Sequence, residues 1–359
     1  MKKFIINVAL LFISLSSIVI GINYFIDASG AITPGSYYGM ARLALSGNIV
    51  ATSLNYNERL YQVAIIETMQ SIPNTIVIGC SRGMFLGEEI TKYKNLYNNC
   101  VSAACMEDYY AILGLYNKKF SKLPQRVIVE TSPWIFYKYN PSSRWKEQDV
   151  YASEAKELYK LINGKDLVIN RSGESPYISI PYFRHNLEVF VRDGIAAFKR
   201  KTPRISTNTS EAADYPDGSL RYAAHLENES EERLKGVQNT KGAVTYQDSN
   251  NMTELNKEKI SDYENMLDFL ISKNVEVIIY LQPFSVTQCH YSFDEGLNNI
   301  FLEVEKYLHE LGAKRNIKIV GGFDARNFGL SDKRFIDFMH LDKKGTKIVW
   351  ETYKLQQED

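Results

Sequence analysis

Residues 75–83 read TIVIGCSRG, a short apolar run followed at once by a serine between two glycines. The run is rich in β-branched residues and stops at Gly79, which is typical of a strand buried on both faces of a parallel sheet. Ser81 would then lie at the carboxyl edge of that sheet, where open α/β folds bind their ligands. Gly79 and Gly83 would permit a tight turn and a close approach of the backbone to a substrate. The alternative is an ordinary strand-to-helix turn in which Ser81 only caps the helix.

Further apolar runs alternate with helical periodicities toward the C-terminus, and this alternation predicts an α/β domain with a parallel sheet over residues 74–359. The other predicted strands are Arg126–Glu130, Asn274–Leu281 and Ile317–Val320. The predicted helices are Met106–Tyr116, Glu258–Ser272, Leu297–Leu311 with Gly312 as its C-cap, and a last helix that Asp342 caps and that ends near Leu355.

The regular alternation is lost between about residues 140 and 252, which contain several prolines and the acidic run Glu227–Glu232. We expect an insertion that caps the carboxyl edge of the sheet, with helices at Ser153–Ile162 and Asn186–Phe198. A loose surface excursion is the other interpretation. Within this segment residues 215–219 read YPDGS, a turn signature for which a substrate-facing role also stays open.

A second motif lies near the C-terminus, where residues 335–342 read FIDFMHLD directly before the last predicted helix. A serine hydroxyl is a weak nucleophile, so it needs a base such as imidazole within hydrogen-bond reach, and that base needs an orienting carboxylate. Asp337 and His340 can meet through one ring nitrogen, which leaves the other nitrogen for Ser81. These three residues form the candidate catalytic triad. A surface turn without chemistry is the alternative.

The N-terminus predicts a membrane anchor over residues 1–27. Lys2 and Lys3 precede a charge-free apolar run from Phe4 to Ile26, which is long enough to cross a hydrocarbon core of ~30 Å as a helix. A cleavable signal peptide would be shorter and would carry a clearer cleavage site. Because positively charged flanks stay in the cytoplasm, the rest of the chain is expected to be extracytoplasmic. Residues 28–73 would form a linker and a helical lead-in.

The serine turn after the first strand and the Asp-x-x-His motif before the last helix resemble the first and last sequence blocks of SGNH (GDSL-like) hydrolases. With its N-terminal anchor, the chain looks most like the SGNH-type proteins that acylate cell-envelope polymers such as teichoic acid and alginate. The resemblance implies a flavodoxin-like, three-layer α/β/α fold. It also implies Ser81 as nucleophile, His340 as general base and then acid, and Asp337 as its orienting carboxylate.

The chain departs from the family pattern around the oxyanion hole. The first block reads Gly-Cys-Ser-Arg, without the usual acidic neighbour, and residues 130–134, ETSPW, lack the asparagine of the third block. Ser102, in the place of the second block, would offer its backbone N–H together with that of Ser81. Arg82, Gln282 and His290 are expected to contact substrate, although Arg82 could instead pair with Glu88 or Glu89. Gln282 as a simple strand terminator is an alternative.

Composition narrows the functional classes. The 42 Lys and Arg residues balance the 42 Asp and Glu residues, so no net positive field gathers nucleic acid. The four cysteines lack C-x-x-C spacing, so neither zinc nor another metal is expected, while a disulfide between Cys100 and Cys105 stays open. The 24 Tyr and 17 Phe residues suit core packing and stacking against sugars.

The expected function is serine-dependent transfer of an acyl group, acetyl in the first instance, to a cell-envelope or secreted polysaccharide without a cofactor. Acyl-CoA does not occur outside the membrane, so the resemblance implies a membrane-bound O-acyltransferase as the donor partner. An anchored carbohydrate esterase with the same triad is the nearest alternative. A catalytically idle SGNH-fold scaffold that binds glycan or an assembly partner is the second.

Overall fold

The structure is a computed structural model, and it describes residues 1–28, 30, 32–33, 35–52, 56–137, 144–169, 175–199, 203–239, 255–296 and 299–355. Within these residues the strands are β1 Val50–Ala51, β2 Thr75–Ile78, β3 Leu96–Asn98, β4 Arg126–Glu130, β5 Ala213–Asp214, β6 Leu220–Arg221, β7 Glu276–Leu281 and β8 Lys318–Gly321. Parts of the predicted insertion and the start of the helix predicted at Leu297 lie outside the described residues.

Five strands form one parallel sheet in the order β3-β2-β4-β7-β8. Numbered within this sheet alone the order is 2-1-3-4-5, which occurs in doubly wound α/β domains. The chain leaves β2 for β3 on one side and then crosses to β4 on the other side. Every residue of β2 is buried, so neighbouring elements cover both faces of the sheet there. The carboxyl ends of β2 and β4 therefore border the crevice in which such sheets bind ligands.

The predicted α/β class and parallel sheet are confirmed. Two predicted strands have the observed bounds, whereas β7 starts at Glu276 instead of Asn274 and β8 is shifted by one residue. The sequence pattern does not predict β3, because Leu96-Tyr97-Asn98 is short and contains no β-branched residue. Pairing with β2, which sets Ile76 opposite Tyr97, gives this segment its extended conformation.

The described helices of eight or more residues are Lys2–Ile26, Gly35–Leu45, Glu58–Thr68, Met106–Phe120, Asp149–Asn163, Ile180–Asp193, Glu231–Asn239, Lys257–Ser272, Asn299–Arg315 and Lys343–Leu355. Asp342 caps the last helix as predicted, since its Oδ1 accepts the Gly345 N–H at 2.7 Å. Gly312 does not end its helix. It packs against Ile319 of β8, where a Cβ would lie 3.0 Å from the Ile319 side chain, and Asn316 takes the left-handed position with φ 54°.

Two parts of the middle segment pack against the α/β domain, whereas its helix Ile180–Asp193 packs against the N-terminal helix Lys2–Ile26. Helix Asp149–Asn163 lies on helix Met106–Phe120. β5 and β6 join β1 in a small antiparallel sheet, and the Leu220 N–H of β6 donates to the Met84 carbonyl at 2.9 Å. The middle segment is therefore attached next to the turn that begins at Ser81.

The N-terminal helix Lys2–Ile26 is long and apolar enough to span a membrane, and none of its most apolar window is buried. Two lead-in helices follow it, Gly35–Leu45 and Glu58–Thr68. Their buried side chains belong to the same core as the parallel sheet.

Asp214 of β5 gives the small sheet a pH-dependent stability. Its Oδ2 accepts the Tyr56 hydroxyl at 3.1 Å, and burial raises the pKa of Asp214 to about 8. The folded chain therefore keeps a proton that the unfolded chain releases above about pH 4. The contribution of Asp214 to the free energy of unfolding is therefore fully present below about pH 4 and is lost as the pH rises toward 8.

We expect Asp214→Asn to raise Tm by a few degrees at pH 8 and to leave it unchanged at pH 4, because an amide is neutral at both values. Thermal unfolding of the detergent-solubilised chain measures this. Asp166→Asn, at an exposed aspartate paired with Lys160, serves as the control and should change Tm at neither pH. A gain that is equal at both pH values would contradict the expectation.

Candidate active site

The carboxyl edge of the sheet brings together the three residues of the candidate triad. Ser81 begins the turn after β2, and Asp337 and His340 lie in the loop before the last helix. The Ser81 Oγ lies 2.8 Å from His340 Nε2, and His340 Nδ1 lies 2.8 Å from Asp337 Oδ2. Ser81 and His340 are 259 positions apart, so the tertiary fold alone produces this chain of contacts. The geometry is that of a hydroxyl, a base and an orienting carboxylate.

Asp337 sets the conformation of the loop that carries His340. Its Oδ1 accepts the backbone N–H groups of Met339 and His340 at 2.8 Å each, as in an Asx turn. Burial raises the pKa of Asp337, but the His340 ring and these two N–H groups lower it more, so the pKa lies below its usual value. The ionised carboxylate can hold a proton on His340 Nδ1, which leaves Nε2 free to accept from Ser81.

Glu130, the last residue of β4, holds the turn that carries Ser81. Its buried carboxylate accepts the Cys80 N–H through Oε2 at 2.8 Å and the Ser132 hydroxyl through Oε1 at 2.6 Å. The backbone just before Ser81 is therefore fixed by a hydrogen bond to the Glu130 side chain. Sequence reasoning did not identify Glu130 as a site residue. The signal was a carboxylate at the end of an otherwise apolar, buried strand.

The two glycines of the serine turn pack against Glu130. A Cβ at Gly79 would lie 2.8 Å from Glu130 Oε2, and a Cβ at Gly83 would lie 3.0 Å from Glu130 Cβ. Within the turn, these glycines therefore make room for the side chain that fixes it. Their predicted role in a close approach of substrate stays a prediction.

Arg82 is buried beneath the site instead of facing a substrate as predicted. Its Nη2 donates to the Gln282 carbonyl, and its Nη1 donates to Ser132 Oγ at 3.4 Å. The guanidinium carbon lies 4.1 Å from the centroid of the Phe284 ring, a stacking contact. Burial lowers the pKa of Arg82 below its usual value, and the nearby Glu130 carboxylate opposes that shift. Arg82 thus supports the site from inside the protein.

Gln282, directly after β7, holds the histidine loop. Its Nε2 donates to the Met339 carbonyl at 2.9 Å, next to His340, and the Ser285 N–H donates to the Phe338 carbonyl at 3.0 Å. Gln282 is buried, so it is a positioning residue and does not occupy the substrate-contacting place that was expected. The segment that follows β7 therefore holds the loop that carries the His340 imidazole in place relative to the sheet.

The Ser102 N–H, the predicted second oxyanion donor, is already hydrogen-bonded. Glu58, the first residue of a lead-in helix, accepts this N–H through Oε2 and the Ser102 hydroxyl through Oε1 at 2.7 Å. Burial raises the pKa of Glu58, although the bonds from Ser102 lower it. Ser102 can therefore stabilise an oxyanion only after Glu58 moves. The contacts of the described residues include no acceptor for the Ser81 N–H, which makes it the free donor at the nucleophile.

His290 has acidic neighbours close to it in the chain. Its Nδ1 lies 3.1 Å from Asp294 Oδ2 and its Nε2 lies 3.4 Å from Glu295 Oε1, with the side chain 58% exposed. Among the contacts of the described residues, none joins His290 to the triad. A role for His290 in substrate binding stays a prediction.

The four cysteines are free and buried, so the Cys100–Cys105 disulfide that the sequence left open is not formed. Cys80, beside the nucleophile, lies 3.4 Å from Ser132 Oγ, and burial raises the pKa of its thiol far above the usual value. A thiol of this kind is not a nucleophile. No group of three or more His, Cys, Asp or Glu residues in the described part of the chain could hold a metal ion.

The turn Tyr215–Ser219 joins the middle segment to the domain. Asp217 Oδ2 accepts the Glu88 N–H at 2.8 Å, and the Asn98 N–H donates to the Asp217 carbonyl at 2.8 Å. The turn also lines an open cavity of about 990 Å³ beside β3, and neither Ser81 nor His340 lines that cavity. The turn signature in the sequence therefore has a structural explanation.

The site contains the protein groups that nucleophilic acyl transfer requires: a hydroxyl, a base that contacts it, a carboxylate on that base and a free backbone donor. Such sets recur on unrelated folds, so this geometry is compatible with that chemistry and does not indicate a family. The sequence matches no protein-family model, and comparison with curated proteins finds no match.

Proposed function

We propose that the chain is a membrane-anchored, extracytoplasmic serine acyltransferase of the SGNH type that acylates a polysaccharide. The observation that carries the proposal is the contact chain from Ser81 Oγ through His340 to Asp337, with 2.8 Å at each step. A hydroxyl and an imidazole from distant parts of the chain rarely meet at the ligand-binding edge of a parallel sheet without chemistry. Acetyl is the acyl group to test first.

The reaction has two steps. In the first, Ser81 Oγ attacks the acyl carbonyl carbon while His340 Nε2 takes the hydroxyl proton, and Asp337 stabilises the imidazolium. The imidazolium then protonates the leaving group, so that an acyl-serine remains. In the second step a sugar hydroxyl attacks the acyl-serine, His340 takes the proton of that hydroxyl, and the same proton returns to Ser81 Oγ as the sugar ester leaves.

The oxyanion that forms in both steps needs hydrogen-bond donors. The Ser81 N–H is free to donate, whereas the Ser102 N–H is bound to Glu58. In other enzymes, the loss of one oxyanion-hole donor lowers the rate by ~10²-fold or more. The site would therefore be slow while Glu58 accepts the Ser102 N–H and faster once Glu58 has moved away. Substrate binding supplies a reason for such movement, since an acyl oxygen competes for the same donor.

Three features support the SGNH resemblance. The serine follows the first strand of the parallel sheet, Asp-x-x-His precedes the last helix, and the sheet has the flavodoxin-like order. The N-terminal helix with Lys2 and Lys3 at its start supports anchoring with the domain outside the cytoplasm. A membrane-bound O-acyltransferase as acyl donor is part of the proposal through this resemblance.

The test separates transfer from hydrolysis. Purified, detergent-solubilised chain is incubated with a small acetyl ester and an oligosaccharide acceptor, and both acetate and acetylated sugar are measured. Acetylated sugar that is absent with Ser81→Ala supports the transferase. Acetate alone, again lost with Ser81→Ala, would replace it with the esterase. Turnover that is identical in wild type and Ser81→Ala, or absent from both, would overturn the proposal and favour a binding scaffold.

A further inference from the structure

The outer end of the N-terminal helix is joined to a helix of the middle segment, Ile180–Asp193. Asn23 is fully buried, and its Nδ2 donates to the carbonyls of Pro176, Tyr177 and Ser179 at 2.9–3.1 Å. These bonds satisfy an amide that would be costly to leave unpaired in an apolar setting. They hold the start of the second helix against the last turns of the first.

More contacts make this joint rigid. Asn186 Nδ2 donates to Asn23 Oδ1 at 3.1 Å, and Asn186 Oδ1 accepts the Ala28 N–H at 2.8 Å. Ile26 and Val189 are packed together in a small apolar cluster that is separate from the main core. The helix Ile180–Asp193 therefore keeps a fixed position relative to the anchor.

The same helix exposes an apolar stripe that does not face the anchor. Ile180, Leu187 and Val191 recur at i, i+7 and i+11, with exposed fractions of 62%, 38% and 77%. Arg184, at i+4, lies within this stripe, whereas Glu188 and Arg192 lie to one side of it. The flanking residues continue the apolar surface, namely Tyr177, Ile178, Ile195 and Phe198, all of which are exposed.

The position of this stripe relative to the membrane follows from the length of the anchor helix. A helix of 25 residues is ~37 Å long, and a hydrocarbon core is ~30 Å thick, so the last turns of Lys2–Ile26 reach the outer headgroup region. Because Asn23 binds the start of the second helix, that helix lies at the same level. An apolar stripe that contains one arginine and has another beside it, at this level, has the composition of an interfacial helix.

We propose that the apolar surface of residues 177–198 lies in the lipid interface beside the anchor, as a second membrane contact of the chain. Large apolar side chains are exposed at several positions between residues 177 and 198, and this segment adjoins a helix that is itself suited to lipid. Arg184 and Arg192 would reach the phosphate groups. Two membrane contacts would restrict the rotation of the domain relative to its anchor helix. The inference is independent of the proposed acyl transfer.

Tryptophan quenching by brominated lipid tests the contact in the full chain. Val191→Trp and Ile195→Trp place a reporter on the apolar surface, and Glu188→Trp places one on the charged side of the same helix. All three positions are exposed, and the native Trp134, Trp145 and Trp350 are buried, so their signal is subtracted with the parent chain. Each variant is reconstituted in phosphatidylcholine vesicles with and without bromines on the acyl chains.

We expect the added fluorescence at positions 191 and 195 to be quenched at least threefold more than that at position 188. Equal quenching at the three positions would overturn the proposal. So would an absence of quenching at 191 and 195, which is the result expected if a partner membrane protein and not lipid covers this surface. Circular dichroism of each variant confirms that the helix content is retained.

Discussion

Replacing His340 with alanine is expected to lower the rate of acyl-ester turnover by about 10⁴-fold or more, and adding Ser81→Ala is expected to lower it no further. The imidazole contacts Ser81 Oγ at 2.8 Å and is the only base in contact with that hydroxyl among the described residues. Residues that act as one unit are grossly non-additive, so either single loss removes the whole contribution of the unit. Steady-state kinetics of both single variants and the double variant measure this.

A matched control distinguishes loss of the base from loss of any histidine. His309→Ala removes an exposed imidazole whose nearest acidic partner is Glu305 at 4.0 Å. Its turnover should equal that of wild type. Losses that add when Ser81→Ala and His340→Ala are combined would contradict the triad, and so would a comparable loss in His309→Ala.

Arg82→Met is expected to lower the free energy of unfolding by about 3–5 kcal/mol, because the buried Glu130 carboxylate loses the positive charge that Ser132 links to it. The change also removes the contacts from Arg82 to the Gln282 carbonyl and to the Phe284 ring. Chemical denaturation of the detergent-solubilised chain measures the loss. The double variant Arg82→Met with Glu130→Gln should recover part of it, since no unpaired buried charge then remains.

Arg126→Met is the control for this prediction. Arg126 also stacks on an aromatic ring, Tyr93 at 3.9 Å, and pairs with Glu276 at 2.6 Å, but its side chain is 25% exposed. Water and salt screen this pair, so its loss should cost about 1 kcal/mol or less. Equal losses in Arg82→Met and Arg126→Met, or strict additivity of Arg82→Met and Glu130→Gln, would show that burial of Arg82 is not the cause.

The sheet was predictable where strands are apolar and bounded by turn residues. Thr75–Ile78 and Arg126–Glu130 are such strands, and their bounds are the observed ones. β3 has no local signature, since its extended conformation comes from its neighbour β2. The small sheet of β1, β5 and β6 pairs residues far apart in the chain, and its two-residue strands have no period to detect.

The site was predictable to the extent that its chemistry needs particular residue types. Only a few side chains can activate a serine, so Asp337 and His340 could be named from their spacing and their place before a helix. The supporting residues could not be named in this way. Arg82 was expected to contact substrate, and only the fold shows that its guanidinium is buried near the Glu130 carboxylate.

Ser102 illustrates a limit of a different kind. The sequence can suggest that a backbone N–H after a strand lies near an oxyanion. It cannot show whether another group of the protein already accepts a hydrogen bond from that N–H. Glu58, which accepts this N–H, comes from a helix 44 positions earlier. Such competition for one donor is a property of the tertiary structure.

The central claim is that the Ser81 hydroxyl is an activated nucleophile. Labelling of the full chain with a serine-directed fluorophosphonate, followed by mass mapping of the adduct, tests it most directly. We predict a single adduct on Ser81 that is lost in Ser81→Ala and strongly reduced in His340→Ala, with Tm unchanged. Folded wild-type chain that carries no adduct on Ser81, or that labels equally well without His340, would contradict the account.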